Sequence, residues 1–422
     1  MLVSLLFLLL TLYIVNVVSV YYDFETDLKA IPDDESSYDI AVNNGNIMNN
    51  TLQNLLQPGD TLFIPNKTFY ISGGIYGSNL NGIKIIIDGT LKFSDDRDTW
   101  PTHSDGSVLE CIYIENLENS IITSSNKGTL DGNGLKWWGA IKFLKHGENR
   151  PRLLHIVNPT NVLIENILLL NSPYWTLYAE NSNNVEIRYV DVSARITDLP
   201  GHSLIDLQAF NTDGFDVTGR NVYIHHSNIY NQDDCISVKD DSQHMLFEYI
   251  SCSGLGLVIG SIGDSIVQNI TFRHSVLPKT VKGIYMKSRW YDSGPQDTAL
   301  IADILYENIT IIEPQQYAIW IGPAQQTGQP CSLLWGIDPW SQCNISGCMT
   351  WRNIILKDVL IINPEQTPGV LMGNDTNPMN NVIFDNVKVV GNNIGDYPWG
   401  VDYFCEYING KSINSSPKPL CF

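Results

Sequence analysis

Residues 162–169 (VLIENILL) carry the apolar pattern that decides the fold, because the same pattern returns at residues 185–192 (VEIRYVDV), 23 residues further on. Within each stretch, aliphatic side chains alternate with other residues, and a short bend, commonly with Asn, Asp or Glu, interrupts the alternation. Period two is typical of a β-strand, since successive side chains of a strand point to opposite faces. Each stretch therefore predicts two short strands and not an amphipathic helix.

The pattern recurs along the second half of the chain. Clear copies begin at positions 304, 354 and 382, and looser copies begin at 222, 245 and 270. The short intervals of 23–25 residues correspond to one coil, and the longer intervals carry insertions. Such units bury their apolar faces only by stacking, so they predict an all-β parallel β-helix. A propeller needs four strands per repeat and a leucine-rich horseshoe needs its Leu/Asn consensus, and the sequence has neither.

The chain of 422 residues has no Pro/Gly/Ser-rich linker, which indicates a single domain over residues 20–422. Residues 2–18 are almost wholly apolar, and Ser19 is small enough to precede a cleavage site. Residues 1–19 are therefore predicted to be a secretory signal peptide. An uncleaved membrane anchor is the alternative, because the N-terminus lacks Lys and Arg. Both readings place the body of the protein outside the cytosol, and cleavage predicts a secreted, extracellular protein.

The open ends of a β-helix expose strand edges that need a cover. Residues 47–56 (IMNNTLQNLL) have helical spacing and precede Pro58-Gly59, so they predict a short capping helix at the N-terminal end. The tail from about residue 399 to 422 is predicted to cover the other end.

Eight cysteines suit an oxidising compartment. Cys235 with Cys252, and Cys405 with Cys421, are close enough in sequence to form disulfides. Cys331, Cys343 and Cys348 predict a disulfide-tied loop, and the sequence gives no partner for Cys111. Triplets for N-glycosylation begin at Asn49, Asn66, Asn269, Asn308, Asn344, Asn374 and Asn414.

Three consecutive rungs carry the candidate site, at residues 211–214 (NTDG), 231–235 (NQDDC) and 254–256 (GLG). Side chains at the same phase of successive rungs stand about 4.8 Å apart, which brings Asp213 next to Asp233 and Asp234. Asp-Gly and Asp-Asp pairs also make turns, but the whole set at coil spacing favours a functional cluster. Neighbouring carboxylates supply the acid and the base that hydrolysis of a glycosidic bond needs.

Motifs over nearly the whole chain resemble the polygalacturonase family of pectin hydrolases, glycoside hydrolase family 28. They are GTLDGNG at 128–134, Trp137-Trp138, RPRLL at 150–154, NSPYW at 171–175, NTDGFD at 211–216, NQDDC at 231–235 and GLGLVIGSIG at 254–263. The resemblance implies a right-handed β-helix and an inverting hydrolysis of α-glycosidic bonds in galacturonate-containing pectic polysaccharide. It implies neither metal nor cofactor.

The resemblance also implies roles for single residues. Asp233 would be the general acid, and Asp213 and Asp234 would hold and activate the attacking water. Asn211 and Gly256 would shape the cleft around these aspartates.

The resemblance also assigns a role in binding the sugar beyond the scissile bond, and this chain differs from the family at two positions near that sugar. Lys287 would bind a sugar carboxylate, although a lysine at this position could also be an ordinary surface residue. The family has His where this chain has Leu255, and Arg where it has Tyr285. Loss of two polar or cationic groups suits a less charged sugar, onto which Tyr285, Trp290 and Trp320 could stack.

Several functional hypotheses therefore stay open: a hydrolase of rhamnogalacturonan or substituted pectin, a polysaccharide lyase, or a weakened carbohydrate-binding protein. Retention of all three aspartates favours catalysis. A net charge of −20 argues against nucleic acid and anionic membranes as partners, and it requires local cations for an acidic substrate. His225, His226 and His244 lack metal-ligand spacing and are predicted to be turn or surface residues. We expect a monomer.

Overall fold

A computed structural model describes residues 19–139, 149–196, 207–289, 298–325, 343–391 and 400–422. These residues form one α-helix, α1 (Tyr38–Asn50), followed by one turn of π-helix at Thr51–Leu55, with 3-10 turns at Gly134–Lys136 and Leu207–Ala209. In the same residues the strands are β1 (Tyr21–Asp23), β2 (Thr61–Ile64), β3 (Thr68–Ile71), β4 (Ile75–Asn81), β5 (Lys84–Ile87), β6 (Thr90–Phe93), β7 (Ile112–Glu118), β8 (Ile121–Thr123), β9 (Thr129–Asp131), β10 (Leu154–Val157), β11 (Thr160–Glu165), β12 (Leu168–Leu170), β13 (Leu177–Arg188), β14 (Asp191–Ala194), β15 (Phe215–Asn231), β16 (Ile236–Ser253), β17 (Leu257–Ile262), β18 (Ile266–Pro278), β19 (Ile284–Arg289), β20 (Leu300–Ile312), β21 (Ile319–Gln325), β22 (Thr350–Ile362), β23 (Gly369–Met372), β24 (Met379–Val390), β25 (Phe404–Glu406) and β26 (Ile408–Ile413).

The strands pair in parallel and form three stacks along a column, which confirms the predicted parallel β-helix. Stack A, which carries the candidate site, contains β4, β7, β10, the first residues of β13, β15 and β16, and then β17, β19, β21, β23 and β25. Stack B begins with β1, β2, β5, β8 and β11 and ends with β26. Stack C begins with β3, β6, β9, β12 and β14.

The copies of the sequence pattern stack in the register that their spacing predicts. The paired first residues of the copies are Val162, Val185, Val222, Met245, Ile270, Ile304, Ile354 and Val382. All of them are buried in the column. Aromatic rings fill part of the same column, with ring centroids 4.7 Å apart for Phe247 and Phe272 and 4.8 Å apart for Phe272 and Tyr306. The repeated apolar positions therefore supply one continuous core.

Asparagine ladders connect the coils at the bends. The side-chain amide of Asn116 donates to Asn79 at 2.9 Å, that of Asn158 donates to Asn116 at 3.0 Å, and that of Asn181 donates to Asn158 at 2.7 Å. All four residues have φ between 54° and 56°. Asparagine tolerates this left-handed conformation and can hydrogen-bond the next coil, which explains its abundance at these bends.

The capping helix exists, but its predicted start was wrong, because α1 begins at Tyr38; its predicted end agrees, since the helical segment continues through the π-helical turn to Leu55. The residues of α1 that face the column include Asn44 and Gly45, which an apolar pattern does not mark. Asn44 bonds to the backbone of Ile31 and Tyr70, and a Cβ on Gly45 would lie 2.2 Å from the hydroxyl of Ser72. Close packing and polar pairing, which periodicity does not detect, thus set the position of the helix.

Two predicted disulfides are present, Cys235–Cys252 and Cys405–Cys421. Cys343 is also disulfide-bonded, whereas Cys111 and Cys348 are buried free thiols. Cys331 lies outside the described residues, so the predicted loop is tested only in part.

The tail covers the C-terminal end in the described range 400–422. There β25 and β26 extend the stacks, and the ring of Phe422 packs edge-on against Phe384 at 5.3 Å.

The predicted signal peptide lies outside the described residues except for Ser19, whose hydroxyl donates to the carbonyl of Gly59. None of the helices in the described ranges is both long enough and apolar enough to cross a membrane.

Candidate active site

The three predicted aspartates lie in stacked turns that lead into stack A. Asp213 precedes β15, and Asp233 and Asp234 precede β16. The turns are joined by backbone hydrogen bonds from Gly214 to Asp234 (2.9 Å) and from Cys235 to Gly256 (3.0 Å). One carboxylate oxygen from each aspartate lies within 4.8 Å of the other two. The coil geometry predicted from the spacing therefore brings the three side chains together.

Asp233 is the most accessible of the three carboxyl groups. It is partly exposed, whereas Asp213 and Asp234 are buried. Its oxygens accept hydrogen bonds from the backbone N–H groups of Asn211 and Asp234, both at 2.9 Å. Desolvation and the charge of Asp234 raise the pKa of Asp233 to about 6, although Lys287 opposes this shift. A carboxyl group with this pKa keeps its proton in mildly acidic solution.

Two lysines place positive charge next to the carboxylates of Asp234 and Asp213. The ammonium of Lys287 lies 3.1 Å from Oδ2 of Asp234. The ammonium of Lys239 lies 2.8 Å from Oδ1 of Asp216 and 3.5 Å from Oδ2 of Asp213. Burial and the charges of Asp216 and Asp233 raise the pKa of Asp213 well above its ordinary value, and Lys239 acts against this rise. Lys239 therefore favours an ionised Asp213.

Two buried oxygens at the centre of the site, Oδ1 of Asp213 and Oδ1 of Asp234, have no hydrogen-bond donor among the described residues. A buried carboxylate oxygen without a donor is costly, because it has lost its hydration. The pair is therefore suited to accept hydrogen bonds from a bound water molecule.

Asp216 and Lys239 are site residues to which the sequence analysis gave no role. Asp216 ends the NTDGFD motif, and it pairs in register with Ser237 of β16. Lys239 lies two residues beyond Ser237, on the same face of β16, and its ammonium is 4.6 Å from the ring centroid of Trp175. The period of two within each strand could have identified both residues.

Asn211 and Gly256 act through the backbone. The N–H of Asn211 binds Asp233, and Asn211 has a φ of 56°. Gly256 has a φ of 103°, and a Cβ there would lie 2.2 Å from the carbonyl oxygen of Gly283. This turn requires glycine, because a side chain would be strained and would clash.

Tyr285 and Trp320, which could stack on a sugar according to the sequence, are almost completely buried. Their exposed fractions are 2% and 0%, so neither presents a free ring face. Lys287 is also buried, and its ammonium is directed at Asp234 and at the Tyr285 ring, 4.3 Å from the centroid. Leu255 is partly exposed and packs against the cluster that contains Tyr285 and Trp320. Trp290 lies outside the described residues, and the binding roles of Lys287 and Tyr285 stay predictions.

Aromatic side chains lead from the N-terminal end of stack A towards the site. In register, the outward positions are Tyr76, Tyr113, His155, Tyr178 and then Asp216. The rings of Tyr76 and Tyr113 stack with centroids 5.9 Å apart, and those of His155 and Tyr178 are 4.7 Å apart. This row forms a wall that continues directly into the carboxylate cluster.

The histidines considered for metal binding lie away from this cluster. His225 lies within β15 on stack B, is buried and contacts Glu186 at 3.2 Å, so its predicted surface or turn position was wrong. His226 and His244 occupy exposed bends with positive φ. The three aspartates are spaced closely enough to hold a cation, but Lys239 and Lys287 already supply positive charge to them. The predicted lack of a metal stays a prediction.

Comparisons with known proteins identify the family of this chain. The sequence profile described as "Glycosyl hydrolases family 28" matches residues 59–410. An exopolygalacturonase of Cochliobolus carbonum is 31% identical over 241 residues, which are 54% of this chain and 51% of the relative. Endopolygalacturonase A of Aspergillus niger is 30% identical over 260 residues, which are 60% of this chain and 65% of the relative. The chain thus spans between about half and two thirds of the length of these curated relatives.

A solved structure supports the fold. The polygalacturonase from Erwinia carotovora ssp. carotovora superimposes with a TM-score of 0.68 at 20% identity, and the match covers 93% of this chain and 96% of that one. At this identity the likeness concerns the β-helix itself.

Proposed function

Because the chain belongs to glycosyl hydrolase family 28, we propose that it hydrolyses glycosidic bonds of a galacturonate-containing pectic polysaccharide. The observation that carries this proposal is the cluster of Asp213, Asp233 and Asp234, whose oxygens lie within 4.8 Å of one another. Two of these carboxylates have a lysine at ion-pair distance, and the third is partly exposed with a raised pKa. The ion pairs and the exposure thus distinguish Asp233 from the other two carboxylates within one site.

Asp233 is the general acid of the proposed reaction. Its proton passes to the oxygen of the leaving sugar as the glycosidic bond breaks, so the leaving group departs as a neutral alcohol. The pKa near 6 keeps this proton in place under acidic conditions. The backbone donors from Asn211 and Asp234 then stabilise the carboxylate that forms.

Asp213 and Asp234 hold and deprotonate the attacking water. Each offers one buried Oδ1 atom without a protein donor among the described residues, and each has a lysine ammonium at ion-pair distance. Inverting enzymes commonly separate acid and base by about 6.5–9.5 Å, and retaining enzymes by about 5–5.5 Å. The carboxylate oxygens here lie within 4.8 Å of one another, so their spacing does not point to inversion. The anomeric configuration of the first product decides between inversion and retention. We propose inversion, because the resemblance to family 28 hydrolases implies it.

The test uses purified protein with polygalacturonan, xylogalacturonan and rhamnogalacturonan, and it follows fresh products by NMR and mass spectrometry. A new reducing end with inverted configuration supports the proposal. An unsaturated product that disappears with a chelator would indicate a lyase instead. Glycan binding without hydrolysis, unchanged in Asp233→Asn, would indicate a carbohydrate-binding protein.

A substituted or rhamnose-containing pectin is the second candidate substrate. It is favoured by Leu255, which is partly exposed beside the carboxylates and apolar. Both lysines of the cluster are already paired with protein carboxylates, so they are poorly available to a sugar carboxylate. Faster release from xylogalacturonan or rhamnogalacturonan than from polygalacturonan selects this candidate.

We also propose that the protein is exported and acts outside the cell as a monomer. Two disulfides, Cys235–Cys252 and Cys405–Cys421, suit an oxidising compartment. Recovery of active protein from the culture medium, with N-terminal sequencing and light scattering, tests export, cleavage near Ser19 and oligomeric state together.

A further inference from the structure

Lys282 is a buried cation that the proposed reaction does not use. It lies in the turn before β19, and its exposed fraction is 0%. Its ammonium donates a hydrogen bond to Oε1 of Gln316 at 2.6 Å. The ring centroids of Tyr285 and Trp320 lie 5.1 Å and 5.5 Å from it. Within the described part of the chain, no carboxylate lies at ion-pair distance from Lys282.

Burial of an ammonium against one amide and two rings costs free energy, because these groups replace its hydration only in part. Desolvation and the like charge of Lys287 lower the pKa of Lys282 to about 7, and Asp234 and Asp233 oppose this shift. A methionine or leucine would fill the same space without this cost. A position that retains a costly charge is a candidate for a functional role.

The charged and titratable groups around Lys282 belong to three elements. Strand β19 contributes Tyr285 and Lys287, and the turn before β16 contributes Asp233 and Asp234. The segment before and within β21 contributes Gln316, which is neutral, and Trp320. The negative charges that act on Lys282 are therefore those of the catalytic cluster.

We propose that Lys282 is a positioning residue, whose buried positive charge, placed behind Tyr285, favours the ionised form of Asp233. This inference rests on the proposed function, because it assigns Lys282 an effect on the acid of that reaction. Lys282 touches no reacting atom, and it acts through the electrostatic field in a poorly hydrated region. Its effect is to set the upper pH limit at which Asp233 still carries the proton.

The test compares Lys282→Met and Gln316→Glu with Lys279→Met. Lys279 is exposed in the same turn, which makes it a matched control. The Met variant removes the charge of Lys282, and the Glu variant places a neutralising carboxylate where Oε1 of Gln316 binds the ammonium. We expect the alkaline limb of the profile of kcat/KM against pH to move up by about 0.5–1 pH unit in both variants. The control should keep the wild-type profile.

Thermal unfolding supplies a second readout. Charged Lys282 costs stability below its folded pKa of about 7, and this cost disappears above the ordinary value of 10.5. Lys282→Met should therefore unfold at an equal or higher temperature than wild type below pH 7. A folded Lys282→Met and a folded Gln316→Glu with the wild-type profile would overturn the proposal. If Lys282→Met does not fold, Gln316→Glu decides alone.

Carboxyl ¹³C NMR titration of Asp233 separates this inference from the proposed function. A rise in the pKa of Asp233 in both variants supports the role of Lys282 even if none of the three pectic substrates is cleaved. An unchanged titration overturns the role of Lys282 even if the wild-type protein is a hydrolase.

Discussion

The outward face of stack A differs on the two sides of the three aspartates. Towards the N-terminal end it carries Tyr76, Tyr113, His155 and Tyr178, and towards the C-terminal end it carries Val258, Tyr285, Trp320 and Val370. Tyr76 is 36% exposed, and Tyr113 and Tyr178 are partly exposed. The C-terminal group is 0–2% exposed and packs as a cluster of its own.

This difference indicates how one continuous row of strands performs two tasks. The N-terminal half presents partly exposed aromatic side chains that a long chain of sugars can contact, whereas the C-terminal half is packed like a protein core. Most contacts with the polymer are therefore expected on the N-terminal side of the aspartates.

Asp233→Asn should have the largest effect, since it removes the proton donor at the boundary between the halves. Activity should fall by about 10³-fold or more. Asp233 is ionised above pH 6, and ionisation of a carboxyl group whose pKa is raised by burial costs stability. The variant should therefore unfold at a higher temperature than wild type above pH 6 and at an equal temperature below pH 3.8. Rate assays, together with calorimetry above pH 6 and below pH 3.8, check both outcomes. If the variant kept its activity, Asp233 would not be the general acid.

Lys239→Met should have the next largest effect. Without its ammonium, Asp213 stays protonated to higher pH, because burial and Asp216 raise its pKa. The acidic limb of the profile of kcat/KM against pH should move upwards, with about a 10- to 100-fold loss on that limb. Lys411→Met, in the exposed part of β26, is the control. An unshifted acidic limb in a folded variant would mean that Lys239 does not support the base.

The spacing of the repeats was enough to predict the fold and to predict that the three aspartates lie close together. The copies that begin at Val162, Val185 and Val222 stack residue on residue, so the interval of one coil also placed Asp213 beside Asp233. These features depend on the period of the repeat and on strand register, and both can be derived from the spacing of residues in the sequence.

Features that depend on packing were missed or misplaced. The start of the capping helix was placed too late, because the pattern of apolar residues does not mark Asn44 and Gly45, which face the column. Lys239 and Lys282 gained importance only from their neighbours, Asp213 in one case and Gln316 in the other. A sequence shows that a lysine is present, but only the three-dimensional arrangement shows whether its charge has a partner.

Tyr113→Ala tests the N-terminal half. Tyr113 is partly exposed and lies three rungs from Asp216 in the row of outward side chains. Loss of one ring face should raise KM for the polymer by about 3- to 10-fold, because stacking contributes about 0.5–1.5 kcal/mol. KM for an oligosaccharide too short to reach three rungs should not change, and kcat should stay constant. Equal effects on long and short substrates would contradict an extended contact surface.

Val370→Ala tests the C-terminal half and should have the smallest effect on catalysis. Val370 occupies the same outward row as Tyr113, but it is fully buried beside Met372 and Trp320. Removal of its methyl groups should lower the free energy of unfolding by about 1–2 kcal/mol, with KM and kcat within about twofold of wild type. Denaturant titration and kinetics on the polymer provide the measurement. A truncation inside a cluster that only packs lowers the free energy of unfolding and leaves substrate binding unchanged. If Val370→Ala raised KM as much as Tyr113→Ala does, the C-terminal half would therefore also contact the substrate.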